Sequence, residues 1–157
     1  MRPILPSEVL LFLQNPWFST DTADDEVRRY ASDIVYRRAV LAETITGRRL
    51  LAAFGAEWYD GMWIDNANPL HSQNSRGWYP ANHTHMANVI MSRMPKVVVT
   101  MGITAKRGFE GLLKTGNSQR YFKTLTHLHC PHPNCMGITQ DVLDSFALMV
   151  MGCQVPD

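Results

Sequence analysis

The stretch Pro95-Lys96-Val97-Val98-Val99-Thr100-Met101-Gly102 decides the fold class. It is a short apolar run without polar alternation, rich in β-branched residues and bounded by Pro and Gly, the pattern of a strand buried on both faces. Residues 103–113 then read as a helix, and residues 83–94 before it place Met86, Val89, Ile90 and Met94 on one helical face. Further upstream, 61–66 is a second short run that ends in polar residues and Pro69, followed by a long polar loop over 70–79. At the front, 7–13 is an apolar run stopped by Gln14-Asn15-Pro16, too short for a helix and read as a strand. From 22 to 49 the spacing is helical, with Asp24, Asp25 and Glu26 in a first turn and Val27, Tyr30, Ala31, Ile34 and Val35 following; a second helical stretch over 39–54 ends at Gly55. Downstream, 121–129 alternates Phe122, Thr124 and Thr126 against Lys123, Leu125 and His127 and reads as a fourth strand, and 140–151 as a closing helix. Strands separated by helices predict a three-layer α/β/α sandwich with a short, mainly parallel four-stranded central sheet. Ligands then bind beyond the strands' C-terminal ends.

The 157 residues suit a single domain spanning 1–157 rather than two independent cores. With 45% hydrophobic and 18% charged residues, the composition is that of a globular chain and excludes disorder and coiled coil. No stretch approaches the ~18–20 apolar residues of a membrane span and the N-terminus lacks a secretory apolar run, so a soluble cytoplasmic monomer with no membrane partner is expected. Cys130, Cys135 and Cys153 cannot all pair with one another, which points to a reducing intracellular compartment. The net charge of +1 conceals an uneven distribution. Residues 1–60 hold seven Arg against nine carboxylates, whereas 76–129 hold eight Lys and Arg against the single acid Glu110, a face suited to a polyanion.

The strand ends carry Gln14-Asn15-Pro16-Trp17-Phe18, Asn66-Ala67-Asn68-Pro69, Gly102, and His129-Cys130-Pro131-His132-Pro133-Asn134. Amide side chains present a donor and an acceptor on one plane, which is the chemistry that reads a nucleobase edge, and aromatic rings offer a surface on which a base stacks. Asp65 is the only acid near these ends, so no carboxylate pair is available for acid–base work. Two alternatives stand beside this reading: Asn66 and Asn68 as loop caps before Pro69, and zinc held by the cluster His127, His129, Cys130, His132 and Cys135. Its Cys-x4-Cys spacing with intervening prolines is not a common zinc pattern.

Four of these segments, in order, resemble the uracil-DNA glycosylase superfamily. Leu13-Gln14-Asn15-Pro16-Trp17-Phe18 is similar to its first motif, Gly-Gln-Asp-Pro-Tyr-His, in the variants with Asn before the Pro. Trp63-Ile64-Asp65-Asn66 is similar to its second strand, Pro95-Lys96-Val97-Val98 to its third, and His132-Pro133-Asn134 to its His-Pro-Ser-Pro motif. The resemblance covers about residues 8–150 and is to branches acting on mismatched uracil or thymine, or selective for single strands. It implies a DNA glycosylase that flips out uracil or a modified pyrimidine and hydrolyses its N-glycosidic bond in base-excision repair, on single- or double-stranded DNA, with no metal or cofactor. On that resemblance Asn15 and His132 form the catalytic pair, Asn15 holding the attacking water and His132 donating to the pyrimidine O2. The Gln14 backbone amide binds a pyrimidine carbonyl, Trp17 or Phe18 stacks on or walls the base, and Asn66 reads its Watson–Crick edge. Arg76, Lys106, Arg107, Asn134 and Met136 face the DNA, with Met136 the wedge that holds the duplex open. The chain departs from the motifs at Leu13 (Gly), Asn15 (Asp), Asn134 (Ser) and Cys135 (Pro). These departures motivate a second reading, a non-catalytic nucleic-acid or nucleotide-binding module.

Overall fold

The computed structural model describes residues 1–73, 77–115 and 120–157. The described residues form six strands, β1 (Arg2–Pro3), β2 (Val9–Leu13), β3 (Trp63–Asn66), β4 (Val97–Met101), β5 (Thr126–Cys130) and β6 (Gln154–Val155), and seven α-helices. These are α1 (Asp24–Ser32), α2 (Ile34–Ala42), α3 (Ile45–Phe54), α4 (Ala56–Gly61), α5 (His83–Arg93), α6 (Ile103–Lys114) and α7 (Gln140–Met151). β2 to β5 form one parallel sheet in the order β3-β2-β4-β5.

Strand pleating sorts the side chains into two cores. Val9, Leu11, Leu13, Ile64, Val97, Val99 and Met101 bury one face against Leu50 and Phe54 of α3, Tyr59 of α4 and Phe146 and Val150 of α7. Leu10, Phe12 and Val98 bury the other against Met86 and Ile90 of α5 and Ala105, Phe109 and Leu112 of α6. The α/β/α sandwich anticipated from the valine run is therefore the architecture. Its two central strands, β2 and β4, are buried along their whole length because helices cover both faces.

The register sets the site. Leu13 pairs with Asn66, Phe12 with Thr100, and Met101 with Cys130, so all four chains leave the sheet along one edge. From β2 the chain runs to β3 on one side; from β4 it runs through α6 to β5 on the other. That reversal opens a crevice between the ends of β2 and β4.

Three local readings are corrected. The helical pattern over 22–54 is three helices, because Asp33 and Thr44 cap new ones: the Asp33 carboxylate accepts from the Val35 and Tyr36 amides and the Thr44 hydroxyl from that of Gly47. Gly61 closes α4 and Met62 caps it, so the second strand begins at Trp63. The fourth strand begins only at Thr126, whose N–H donates to the Lys96 carbonyl; Arg120–Thr124 is a 3-10 turn. There Phe122 and Leu125, three apart, both pack into the second core, which overrides the apparent period of two. The antiparallel clip β1–β6 between the ends of the chain was not anticipated. Among the described residues, no helix is long and apolar enough to cross a membrane.

Candidate functional site

A cavity of about 200 Å³ lies at this edge of the sheet, lined by Gln14, Asn15, Trp17, Phe18, Asn66, His132 and Asn134 among others. The fold thus brings seven predicted residues from three strand ends to one place. The volume is below the ~300–1000 Å³ of sites for drug-sized ligands and suits a single planar ring. One wall is aromatic: Phe18 meets the Tyr30 ring edge-to-face at 5.2 Å and that of His71 at 5.4 Å, while Trp17 remains 50% exposed at the mouth.

His132 is strongly perturbed. Burial alone pushes its pKa down to about 4, so the ring is neutral at physiological pH. Its Nδ1 accepts the Asn134 backbone N–H at 3.1 Å. The proton of the neutral ring is therefore on Nε2, and the imidazole is a hydrogen-bond donor there. Two features hold it. Arg49 of α3 donates to the carbonyls of Pro133 and Ile138, clamping the loop on the far side of His132. Gly102, at φ +96°, lies so close that a Cβ on it would sit 3.3 Å from the His132 Cβ. Only glycine suits both the torsion and the approach.

Asn15 is fixed by its own amide. Nδ2 donates to the Pro16 carbonyl at 3.0 Å and to the Ser72 hydroxyl at 3.4 Å, and Oδ1 accepts the Tyr79 N–H at 3.1 Å. One Oδ1 lone pair is left, enough to orient a water; an amide cannot take its proton. The two asparagines after β3 separate in role. Asn68 is structural, its Nδ2 donating to Pro80 O at 2.8 Å and its Oδ1 accepting from Leu70 N at 2.9 Å. Asn66 is buried at the cavity, with its side chain in hydrogen-bonding contact with the Tyr30 phenol.

Behind Asn66 lies a buried cluster that the sequence reading passed over. Asp65 accepts from the Asn66 N–H at 2.8 Å and the Trp63 indole N–H at 3.1 Å, and lies 3.1 Å from His85 Nε2 and 3.5 Å from the Arg37 guanidinium. Arg37 also donates to the carbonyls of Tyr30, Ile64 and Ala31. Burial raises the Asp65 pKa, but the His85 hydrogen bond, the Arg37 charge and the Asn66 N–H outweigh it, and the carboxyl stays below its usual range. Asp65 thus anchors the end of β3 through its bonds to Asn66, Trp63, His85 and Arg37. Tyr30, Arg37 and His85 carry no local motif that marks them; only their buried polarity does.

The remaining predicted residues lie outside the cavity. Arg107 is on α6 beside a neighbouring groove that Gln14 also lines. Lys106 is 3.8 Å from Glu110 on the same helix, and Met136 stands 98% exposed at the tip of the loop after His132. Arg76 is outside the described residues. The histidines proposed as zinc ligands are engaged otherwise: the Thr100 hydroxyl is 2.7 Å from His127 Nε2 and 3.2 Å from His129 Nδ1. Among the described residues, no three His, Cys, Asp or Glu side chains group to hold a metal ion. No family model, curated protein or solved structure matches the chain.

Proposed function

We propose that the chain is a DNA glycosylase that takes a flipped uracil or related pyrimidine into the crevice and hydrolyses its N-glycosidic bond. The observation that carries this reading is a neutral His132, with its proton on Nε2, lining the same ring-sized cavity as Asn15 and Asn66. In the proposed reaction the C1′–N1 bond breaks with its electron pair going to the pyrimidine. The charge developing on O2 is met by the His132 Nε2–H, a donor that needs no reorganisation. Asn15 Oδ1 orients water toward C1′, and the proton that water loses ends on the departing base, since Asn15 cannot hold it. Asn66 reads the base edge through its amide. Lacking a base near C1′, such a site is fastest on good leaving groups.

The test is incubation with uracil-containing single strands, duplexes and mismatches, scored as alkali-labile abasic sites. Product is expected, and His132→Ala reduces it by about 10²–10³-fold, the effect of one lost oxyanion donor. No product on a broad panel of uracils and modified pyrimidines overturns the reading. One observation favours a second reading, a binding module without turnover: both Asn15 Nδ2 hydrogens and one Oδ1 lone pair are already used within the protein. It requires salt-dependent DNA binding with no product, and release of base by the wild-type chain eliminates it.

A further inference from the structure

Beside the base cavity runs a larger open groove of about 590 Å³, lined by Trp78, Pro80 and Ala81 on one wall and Ile103, Thr104 and Arg107 on the other. Gln14 lines both spaces, so the two adjoin across this residue. The groove leaves large apolar surface in water: Trp78 is 63% and Ile103 53% exposed. The walls are held at close quarters by Gly108 of α6, where a Cβ would fall 2.5 Å from that of Ala81. No carboxylate is among its lining residues, and Arg107 makes no ion pair among the described residues.

We propose that this groove is a second base site, taking the unpaired nucleotide next to the one whose base enters the cavity. The proposal rests on the nucleic-acid reading above and extends it. A flat indole beside aliphatic side chains accepts the face of any base, and the unpaired guanidinium at the rim suits the intervening phosphate. The shared Gln14 wall sets this slot next to the cavity, one step along the strand. In an intact duplex the neighbouring base is paired and stacked within the helix and cannot reach the slot. The groove therefore selects single-stranded substrates.

The probe is an end-labelled oligothymidylate carrying one 2′-fluorinated uridine that resists hydrolysis, with binding read by fluorescence anisotropy. Single strand is expected to bind at least about tenfold tighter than the same sequence in duplex. Replacing the neighbouring base by an abasic spacer, on each side in turn, is expected to cost about tenfold on one side only. Trp78→Ala costs the same, and in that variant the spacer costs nothing more; duplex binding is unchanged. Arg107→Gln lowers the salt slope of single-strand binding by about one. Independent, additive effects of Trp78→Ala and the spacer, or tighter duplex binding, overturn the groove proposal while leaving the glycosylase reading standing if base is released. Failure to bind any oligonucleotide and to release any base ends both.

Discussion

Lowering pH tests the placement of His132 directly. A histidine that titrates near 6.5 when unfolded and near 4 in the folded chain leaves the unfolded state holding more protons across that interval. Stability therefore rises with pH from about 4 to about 6.5 and gains nothing further from this group above it. Between neutral pH and about pH 4.5 the shift corresponds to about 2 kcal/mol of lost stability from this one ring, in a domain whose total is of order ~5–15. Urea unfolding of the wild type and of His132→Gln at both pH values isolates it, because Glu8, His127 and His129 contribute equally to both proteins. The Gln variant should lose about 2 kcal/mol less on acidification. Histidine ring signals in a proton NMR titration provide the independent measurement: one ring unchanged through pH 5, with its Nε2 bearing the proton. Equal acid sensitivity of the two proteins, or a His132 ring titrating near 6.5, refutes the desolvated, neutral donor. With it goes the central support for the proposed chemistry.

Gly102→Ala forces a side chain into a φ of +96° and against His132, so a loss of about 1–3 kcal/mol by urea unfolding is expected, with base release falling further than the stability change explains. Asp65→Ala leaves the Arg37 guanidinium buried without its carboxylate, an expected cost of about 3–5 kcal/mol. Wild-type stability in that variant would show that the three carbonyls alone neutralise Arg37.

The parallel sheet was legible because its signals are local. The run Val97-Val98-Val99 and the run ending at Leu13 are apolar on both faces, the run ending at Asn66 buries Met62 and Ile64 before it turns polar, and breakers stop them where the strands stop. Since a doubly wound sheet gathers its strand ends, Gln14, Asn15, Asn66 and His132 could be read as one group before any contact was known. The start of the fourth strand was not legible, because Phe122 and Leu125 serve a core whose other half lies some ten to forty residues away in α5 and α6.

Sequence alone thus determined the layer architecture, the edge of the sheet at which the cavity forms and the amide-rich character of its lining, all properties of short stretches and their order. Only the tertiary structure decided which amide turns to the cavity and which staples a loop. It also decided that His132 is neutral with its proton on Nε2, that Asp65 is occupied by Arg37 and His85, and that Trp78 and Arg107 share a groove. Each of these depends on which groups meet across the fold. Burial and hydrogen-bond partners, which set protonation and orientation, are properties of a place in space and not of a residue's neighbours in the chain.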